Sequence, residues 1–431
     1  MSITDDLTTK SPDEVRAAAQ EWLRSNLPPA WVAAIDADDD EAFRAATKGF
    51  DGQTFLRTIG QAGWAQPTWP VAHGGLGLSD EQAAVVEEEK NYYRVPRSFD
   101  VLGLGLAAPT IREYGTEEQK AFYLSRMAQG ERWCQLFSEP GNGSDVAGLS
   151  TRAERDGDEW VVNGQKVWTS GAHISKWGML IARSHPDQPK HKGITYFLLD
   201  MESPGVEVRP LRQITGDAEF NEVFLSDVRI PDSARLGPEG GGWAVAQTTL
   251  MNERVALSSA FGGGGAGGAG AARRRPAGEE APARRPRAGA DEVLARSKAN
   301  GTWEDAATRD RLVKLWVEGK LSVYNMQRAM AVRRSGGQPG PEGSVGKLYS
   351  TTYNMKLQIA SVDIMGMEST AWAEDDAAAA LRVRTFLRSR GNSIEGGTSE
   401  IQRNILGDRV LGLPREPDAS KDLPWKDVPR N

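Results

Sequence analysis

The order of residues predicts an α+β chain: an N-terminal α-helical domain over 1–131, a middle β-barrel or sandwich domain over 132–235, and a C-terminal helical bundle over 236–431. Three observations carry that expectation. Apolar residues recur at helical spacing from Ser11 to about Gly130, the period shifts toward short β-rich runs between Trp133 and about Pro231, and helical spacing returns from Gly242 onward.

In the first region Val15, Ala18, Ala19, Trp22 and Leu23 share a helical face, as do Phe43, Phe50, Phe55, Leu56 and Ile59 further on. Pro28-Pro29, Pro67 to Pro70 and the glycines of His73 to Gly77 break the pattern, and Ser79 before acidic residues caps a new helix. In the middle, residues 159–162, 178–182, 194–199, 206–210 and 221–225 are β-rich runs divided by Gly, Asp, Asn and Pro turns. Long helices are expected over 243–260, 305–334, 343–364 and 372–390. One stretch does not fit. The glycine-rich run from Gly262 to Gly270 cannot sustain a helix, and the Arg and Pro residues from Arg273 to Arg287 add charge, so about 261–295 is expected to be flexible low-complexity linker. Its Gly/Ala/Arg/Pro bias also matches what a shifted GC-rich reading frame encodes.

With 431 residues, the chain exceeds what one hydrophobic core usually serves. A hydrophobic content of 39%, a charged content of 26% and a formal charge of -7 describe a mildly acidic globular protein with nothing that attracts nucleic acid globally. Met1 to Lys10 lacks an apolar run behind a basic start, and no later stretch approaches the roughly 20 apolar residues of a membrane span, so a cytoplasmic location is expected. The single cysteine, Cys134, excludes an intrachain disulfide and a cysteine-cluster metal site, and the four histidines show no close ligand pairing, so no metal is expected. Within Trp133 to Phe137, Cys134 is expected to be a small buried side chain.

Chemistry concentrates in three runs: Cys134-Gln-Leu-Phe-Ser-Glu-Pro-Gly-Asn-Gly-Ser-Asp145, Val162-Asn-Gly-Gln-Lys-Val-Trp-Thr-Ser170 and Ile394-Glu-Gly-Gly-Thr-Ser-Glu-Ile-Gln-Arg403. In the first, Gly141 and Gly143 allow a tight turn whose backbone can approach a ligand, with Ser138 and Ser144 as donors to a ring edge or pyrophosphate. Gln135, Phe137 and Ser138 precede it in an apparent strand. Alone, this run is equally an ordinary β-turn. Trp168-Thr169-Ser170 adds an indole face and two hydroxyls, suited to a planar polar-edged ligand as well as to a barrel core.

These runs, in this order, resemble the bacterial branch of the acyl-CoA dehydrogenase family, and the similarity covers the whole chain except about 261–295. The resemblance implies the family's fold, with a C-terminal four-helix bundle, and FAD as cofactor. It implies that Gln135, Phe137, Ser138, Gly143 and Ser144 bind FAD, that Ser144 also touches the acyl-CoA substrate, and that Trp168, Thr169 and Ser170 pack on the flavin. Thr398, Ser399 and Glu400 match positions that reach FAD from the C-terminal domain, and they also read as a plain helix start. The reaction implied removes a proton α to a thioester and passes a hydride from the β-carbon to flavin N5, giving a trans-2-enoyl-CoA. An α-proton is weakly acidic, so a positioned carboxylate base is needed. In most of the family that base is a Glu directly followed by Gly-Thr-Ser, whereas here Glu395 precedes Gly396-Gly397-Thr398 and stands one residue early. In the isovaleryl and long-chain branches the base instead precedes an Arg on the first C-terminal helix, which Glu253-Arg254 matches. Glu253 is therefore the first choice of base, Glu395 the second, and Arg254 a residue of the acyl wall; the plainer alternative for Glu253 and Arg254 is a solvent-facing charge pair.

Two departures from the pattern bear on assembly. The Arg and Phe-Gly that usually reach a neighbouring subunit's nucleotide are replaced by the linker and Arg296 to Gly301, and the usual Gln with Gly-Gly by Asp363 to Glu368. The expected partners are an acyl-CoA, an electron-transfer flavoprotein as acceptor, and further subunits in a homo- or hetero-oligomer, dimer or tetramer, with no nucleic acid and no membrane. The tail Arg403 to Pro414 resembles members acting on bulky or branched chains, sterol side chains included. Two alternatives stand beside this reading: a flavin monooxygenase or oxidase on the same fold, and a non-catalytic subunit of a heteromeric acyl-CoA dehydrogenase.

Overall fold

Ser11 accepts the Glu14 amide while the Glu14 carboxylate takes the Ser11 amide at 2.8 Å, and this reciprocal cap starts the first helix, α1 (Pro12–Asn26). The computed structural model describes residues 6–96, 100–262, 289–334, 343–371 and 376–429. After α1 come α2 (Pro29–Asp36), α3 (Asp40–Thr47), α4 (Gly52–Gln61) and α5 (Asp80–Tyr92), the last capped by Ser79 and Gln82 in the same reciprocal way. Val15, Ala19 and Leu23 of α1 pack with Trp31, Phe55, Ile59 and Val86, and Trp31 meets Phe43 and Phe50 edge-on at 5.1 and 4.9 Å. Beyond Asp100, wide helical turns over Gly103–Ala107 run into α6 (Ala108–Tyr114), followed by α7 (Glu117–Gln119) and α8 (Ser125–Ala128). Leu106, Ile111, Leu124 and Met127 from this stretch close over Trp133, Met179 and Tyr196 of the sheet.

That sheet has seven strands, β1 (Trp133–Leu136), β2 (Arg152–Asp156), β3 (Glu159–Ser170), β4 (Trp177–Arg183), β5 (Ile194–Asp200), β6 (Val206–Leu211) and β7 (Phe220–Pro231). Their order is β1-β4-β2-β3-β7-β6, with β5 against β4 off this path. β1 and β2 run parallel to β4, and the other pairs are antiparallel. Along β4 the side chains alternate between two cores: Met179 and Ile181 face the N-terminal helices, Leu180 and Ala182 the interior of the curled sheet. Cys134 is fully buried in that interior, where burial pushes its thiol up to about 12. The polar strand β2, in which only Ala153 is buried, was not among the expected runs; pairing with β3, rather than an apolar pattern, holds it. The run expected at 159–162 extends to Ser170 because β7 lies alongside it.

The C-terminal region holds α9 (Gly242–Gly262), α10 (Ala290–Ala299), α11 (Ala306–Arg334), α12 (Gly343–Asp363), α13 (Ala377–Arg388) and α14 (Ser399–Ile405). Of the expected linker, 263–288 lie outside the described residues, but its two ends are helical. Residues 261–262 finish α9, and 290–295 open α10, where Asp291 and Glu292 sit in the first turn and Val293 is buried with Leu312, Leu315 and Leu357. Of the helix expected from Trp372, residues 372–375 lie outside the described residues, and α13 starts beyond an Asp376 cap. Among the described residues no helix is long and apolar enough to cross a membrane, and no group of His, Cys, Asp or Glu could hold a metal.

Candidate active site

α9 is anchored between sheet and bundle by a threonine. Val245 and Ala246 enter the core shared with the sheet, and Thr249 Oγ1 lies 3.0 Å from Thr110 Oγ1 and 3.2 Å from Tyr196 Oη. One turn later on the same face stands Glu253, half-buried, whose Oε2 accepts a hydrogen bond from Gln135 Nε2 at 3.3 Å. Gln135 reaches it because β1 alternates: Cys134 and Leu136 point into the curled sheet, and Gln135 points the other way. The side chain of Arg254 lies outside the described residues.

Beyond β1 the first motif folds on a buried ion pair. Lys166 Nζ sits 2.8 Å from Glu139 Oε1, both side chains buried, and the Glu139 carboxylate also accepts the Ser150 and Thr151 amides at 2.6 and 2.9 Å. Burial opposes its charge, but Lys166 and these donors outweigh burial and hold the Glu139 carboxyl below the usual carboxylate range. With Lys166 drawn inward, the Val167 amide bonds to the Ser138 carbonyl at 2.9 Å, and the β3–β7 register breaks between Lys166 and Thr169. At that bulge Trp168 takes a φ of +60, a left-handed conformation that a bulky residue seldom adopts. The bulge lifts its indole out of the sheet, 61% exposed and edge-on to Phe220 at 6.0 Å.

The turn after Ser138 is closed by reciprocal 3.0 Å bonds between Glu139 and Asn142. A Cβ at Gly141 or Gly143 would meet nothing within 4 Å, so no neighbour in the chain requires glycine there. Close approach by a ligand remains as a physical reason for it. Ser144 is exposed and Ser138 half-buried. Phe137 belongs to the core, 5.9 Å from Tyr196, and Thr169 is fully buried with Ser170 half-buried beyond it. Side-chain contact with a ligand from Phe137 or Thr169 therefore has no open surface to use.

Glu395 stands in a different setting from Glu253. Arg388 Nη2 donates to its Oε2 at 2.7 Å and Asn392 Nδ2 to its Oε1 at 2.6 Å. The residues after it, Gly396 and Gly397, have φ of 63 and 88, consecutive left-handed positions that glycine fills without strain. Thr398 then caps α14, accepting the Ile401 amide, while Glu400 is exposed and paired with Arg403 at 3.2 Å. Proton uptake by Glu395 would break a guanidinium–carboxylate contact, whereas the hydrogen bond that Glu253 accepts from Gln135 comes from a neutral amide. The half-buried carboxylate, the lifted indole and the open glycine turn all adjoin the 135–138 segment. A planar group with a phosphate-bearing tail fits them, with the indole as its platform and the glycine turn as its anchor. Sequence reasoning missed Glu139 as the turn's internal anchor; a Glu and a Lys in two separate motifs were the available signal.

Comparison with known proteins bears on this arrangement. Residues 9–131, 134–228 and 240–411 match the N-terminal, middle and C-terminal domains of acyl-CoA dehydrogenase. The acyl-CoA dehydrogenase IpdE1 of Mycobacterium tuberculosis is 35% identical over 94% of this chain and 98% of its own length. Acyl-CoA dehydrogenase FadE34 of the same organism is 40% identical over 83% of this chain but 46% of its own length, so the chain spans about half of that relative. Among solved structures, the ChsE4-ChsE5 complex from Mycobacterium tuberculosis superposes with a TM-score of 0.63 at 25% identity, covering 96% of this chain and 100% of that one.

Proposed function

The chain belongs to the acyl-CoA dehydrogenase family, and on that footing we propose that it oxidises an acyl-CoA thioester to its trans-2-enoyl form, with Glu253 as the base that takes the α-proton. The observation that carries the assignment is the place of Glu253, on α9 within hydrogen-bond reach of Gln135 on β1 beside the glycine turn and Trp168, while Glu395 is held by Arg388 and Asn392. FAD, when bound, supplies the acceptor for the hydride leaving the β-carbon, at N5. Trp168 and Ser170 provide its platform, Gln135, Ser138, Gly143 and Ser144 its polar contacts from the middle domain, and Thr398 and Glu400 those from the start of α14. Ser144 contacts the acyl-CoA. Gln135 orients the Glu253 carboxylate, so that a proton arriving at the carboxylate leaves the amide contact intact.

Electrons leave to an electron-transfer flavoprotein, and the substrate is a bulky or branched acyl chain. The protein works in the cytoplasm as an oligomer of like or paired subunits. Apolar side chains left open on the C-terminal helices, Trp316, Leu321, Tyr324 and Leu381 among them, support assembly.

The test is anaerobic bleaching of the bound flavin by a panel of acyl-CoAs. Glu253→Gln is expected to slow bleaching by about 10²–10⁴-fold with flavin still bound, as for loss of a general base. Bleaching at the parent rate, or oxygen consumption with a substrate that is not a thioester, would overturn the assignment.

A further inference from the structure

Residues 219–221 support the Trp168 run from one side in three ways. The Glu219 carbonyl accepts the Gly171 amide at 2.8 Å, Phe220 meets the Trp168 indole edge-on at 6.0 Å, and the buried Asn221 donates through Nδ2 to the Thr169 carbonyl at 2.9 Å. A left-handed φ at Trp168 persists only where surrounding groups hold it, so whatever holds 219–221 also bears on the indole. Part of that hold comes from the C-terminal bundle. Arg388, the last residue of α13, donates through Nε to Glu219 Oε1 at 3.2 Å, and its guanidinium carbon lies 5.5 Å from the centre of the Phe220 ring. The same guanidinium grips Glu395 Oε2 through Nη2 at 2.7 Å, and Glu395 directly precedes the Gly396–Gly397 turn. One helical turn earlier, Arg384 bonds Asp217 in the loop that leads to Glu219.

We propose that Arg388 is a positioning residue for the flavin platform: by bridging Glu219, Phe220 and Glu395 it fixes the Phe220 ring against Trp168 and so sets the pose in which the indole meets the flavin. The proposal rests on the reading of Trp168 as that platform.

A guanidinium suits this place because its N–H groups point in fixed, separate directions, so one side chain can serve two carboxylates and still lie beside a ring. The side chains of Arg388 and Glu219 are 33% and 53% exposed, and ion pairs that open add little to global stability. The effect of Arg388 is therefore local, on the setting of one ring and through it on one indole.

The experiment uses the full chain loaded with flavin and labelled with 5-fluorotryptophan, the 19F resonance of Trp168 being the one missing from Trp168→Phe. Arg388→Gln is expected to move that resonance with the denaturant midpoint nearly unchanged, and to weaken flavin binding about fivefold, as Phe220→Leu also does. Because both act through one ring, the double variant is expected to lose about fivefold in all rather than the roughly 25-fold of independent effects. An unmoved Trp168 resonance overturns the proposal, and so do losses that multiply. Where Arg388→Gln does not accumulate as folded flavoprotein, Arg388→Lys, which keeps the charge without the fork, stands in its place under the same criteria. Failure of both to fold also overturns the proposal, reducing Arg388 to a fold determinant. Trp168→Ala runs in parallel: if it binds flavin as tightly as the parent, the platform reading fails by itself, and the resonance alone then decides whether Arg388 sets the indole.

Discussion

Trp168 shows how much one residue can carry. Its left-handed φ of +60 costs about 1–3 kcal/mol for a bulky side chain, and the Lys166–Glu139 pair beneath it sustains the strain. Replacement by glycine relieves the strain and removes the platform, whereas alanine removes only the platform. The glycine variant is therefore expected to unfold, as apoprotein, about 1 kcal/mol harder than the alanine variant, and both to lose at least about tenfold in flavin affinity. Denaturant unfolding and flavin fluorescence titration measure the two effects; an alanine variant that binds flavin as tightly as the parent would remove Trp168 from the site. At this scale the sequence revealed which residue types were present but not their surroundings. Glu253 stands ahead of Glu395 in the sequence only through the family resemblance, and the surroundings of each come from the fold, where Gln135 reaches one while Arg388 and Asn392 hold the other. The Glu139–Lys166 pair was illegible because its members are 27 residues apart, and nothing in either motif says which strand will lie beside which.

At the scale of elements, the stretch that covers the sheet is started by Asp100. Its carboxylate accepts the Gly103 amide at 3.0 Å and the Trp133 amide at 3.1 Å, tying the entry of the 103–114 helical run to the first residue of β1. Burial raises its pKa from 3.8 to about 6 despite those donors. The sign follows from proton counting: between about pH 4 and 6 the folded protein holds a proton that the unfolded chain has released. The contribution of Asp100 to stability therefore falls as pH rises through that window, by up to about 3 kcal/mol. Asp100→Asn, which cannot titrate, is expected to gain on the parent by about that amount between pH 4 and 7 in denaturant unfolding; parallel stability curves would disprove the account. Helix starts such as Ser11 and Ser79 were readable because a cap is local, and β4 was readable because both its faces are apolar. β2 and the opening of α10 were not, since a polar strand depends on its partner and glycine bias masked the helix that follows.

For the whole molecule, the contacts between regions are what make one site out of three sequence motifs. Arg384 on α13 bonds Asp217 and Arg388 bonds Glu219, both in the turn before β7, and the tail returns to the sheet at another place. There Trp425 Nε1 donates to the Gly148 carbonyl at 3.1 Å, its ring lies 4.8 Å from the Arg183 guanidinium, and Lys426 pairs with Asp187. Arg183 in turn donates to the Ala147 carbonyl at 2.6 Å, so the tail buttresses the segment that follows the glycine turn. Trp425→Ala is expected to raise tryptic cleavage at the exposed Arg415 and Lys421 about tenfold, equivalent to roughly 1.4 kcal/mol of easier local opening. Cleavage at the parent rate would show that the tail is not held there. The sequence by itself determined the helix–sheet–helix order, the buried Cys134 and the candidate site residues, because periodicity, caps and turn residues act over a few positions. Only the tertiary structure decided that Glu253 faces Gln135, that Glu395 is held by Arg388, and that Trp168 stands clear of the sheet. Those outcomes depend on which groups far apart in sequence the fold brings into contact, and local periodicity and turn residues carry no record of that.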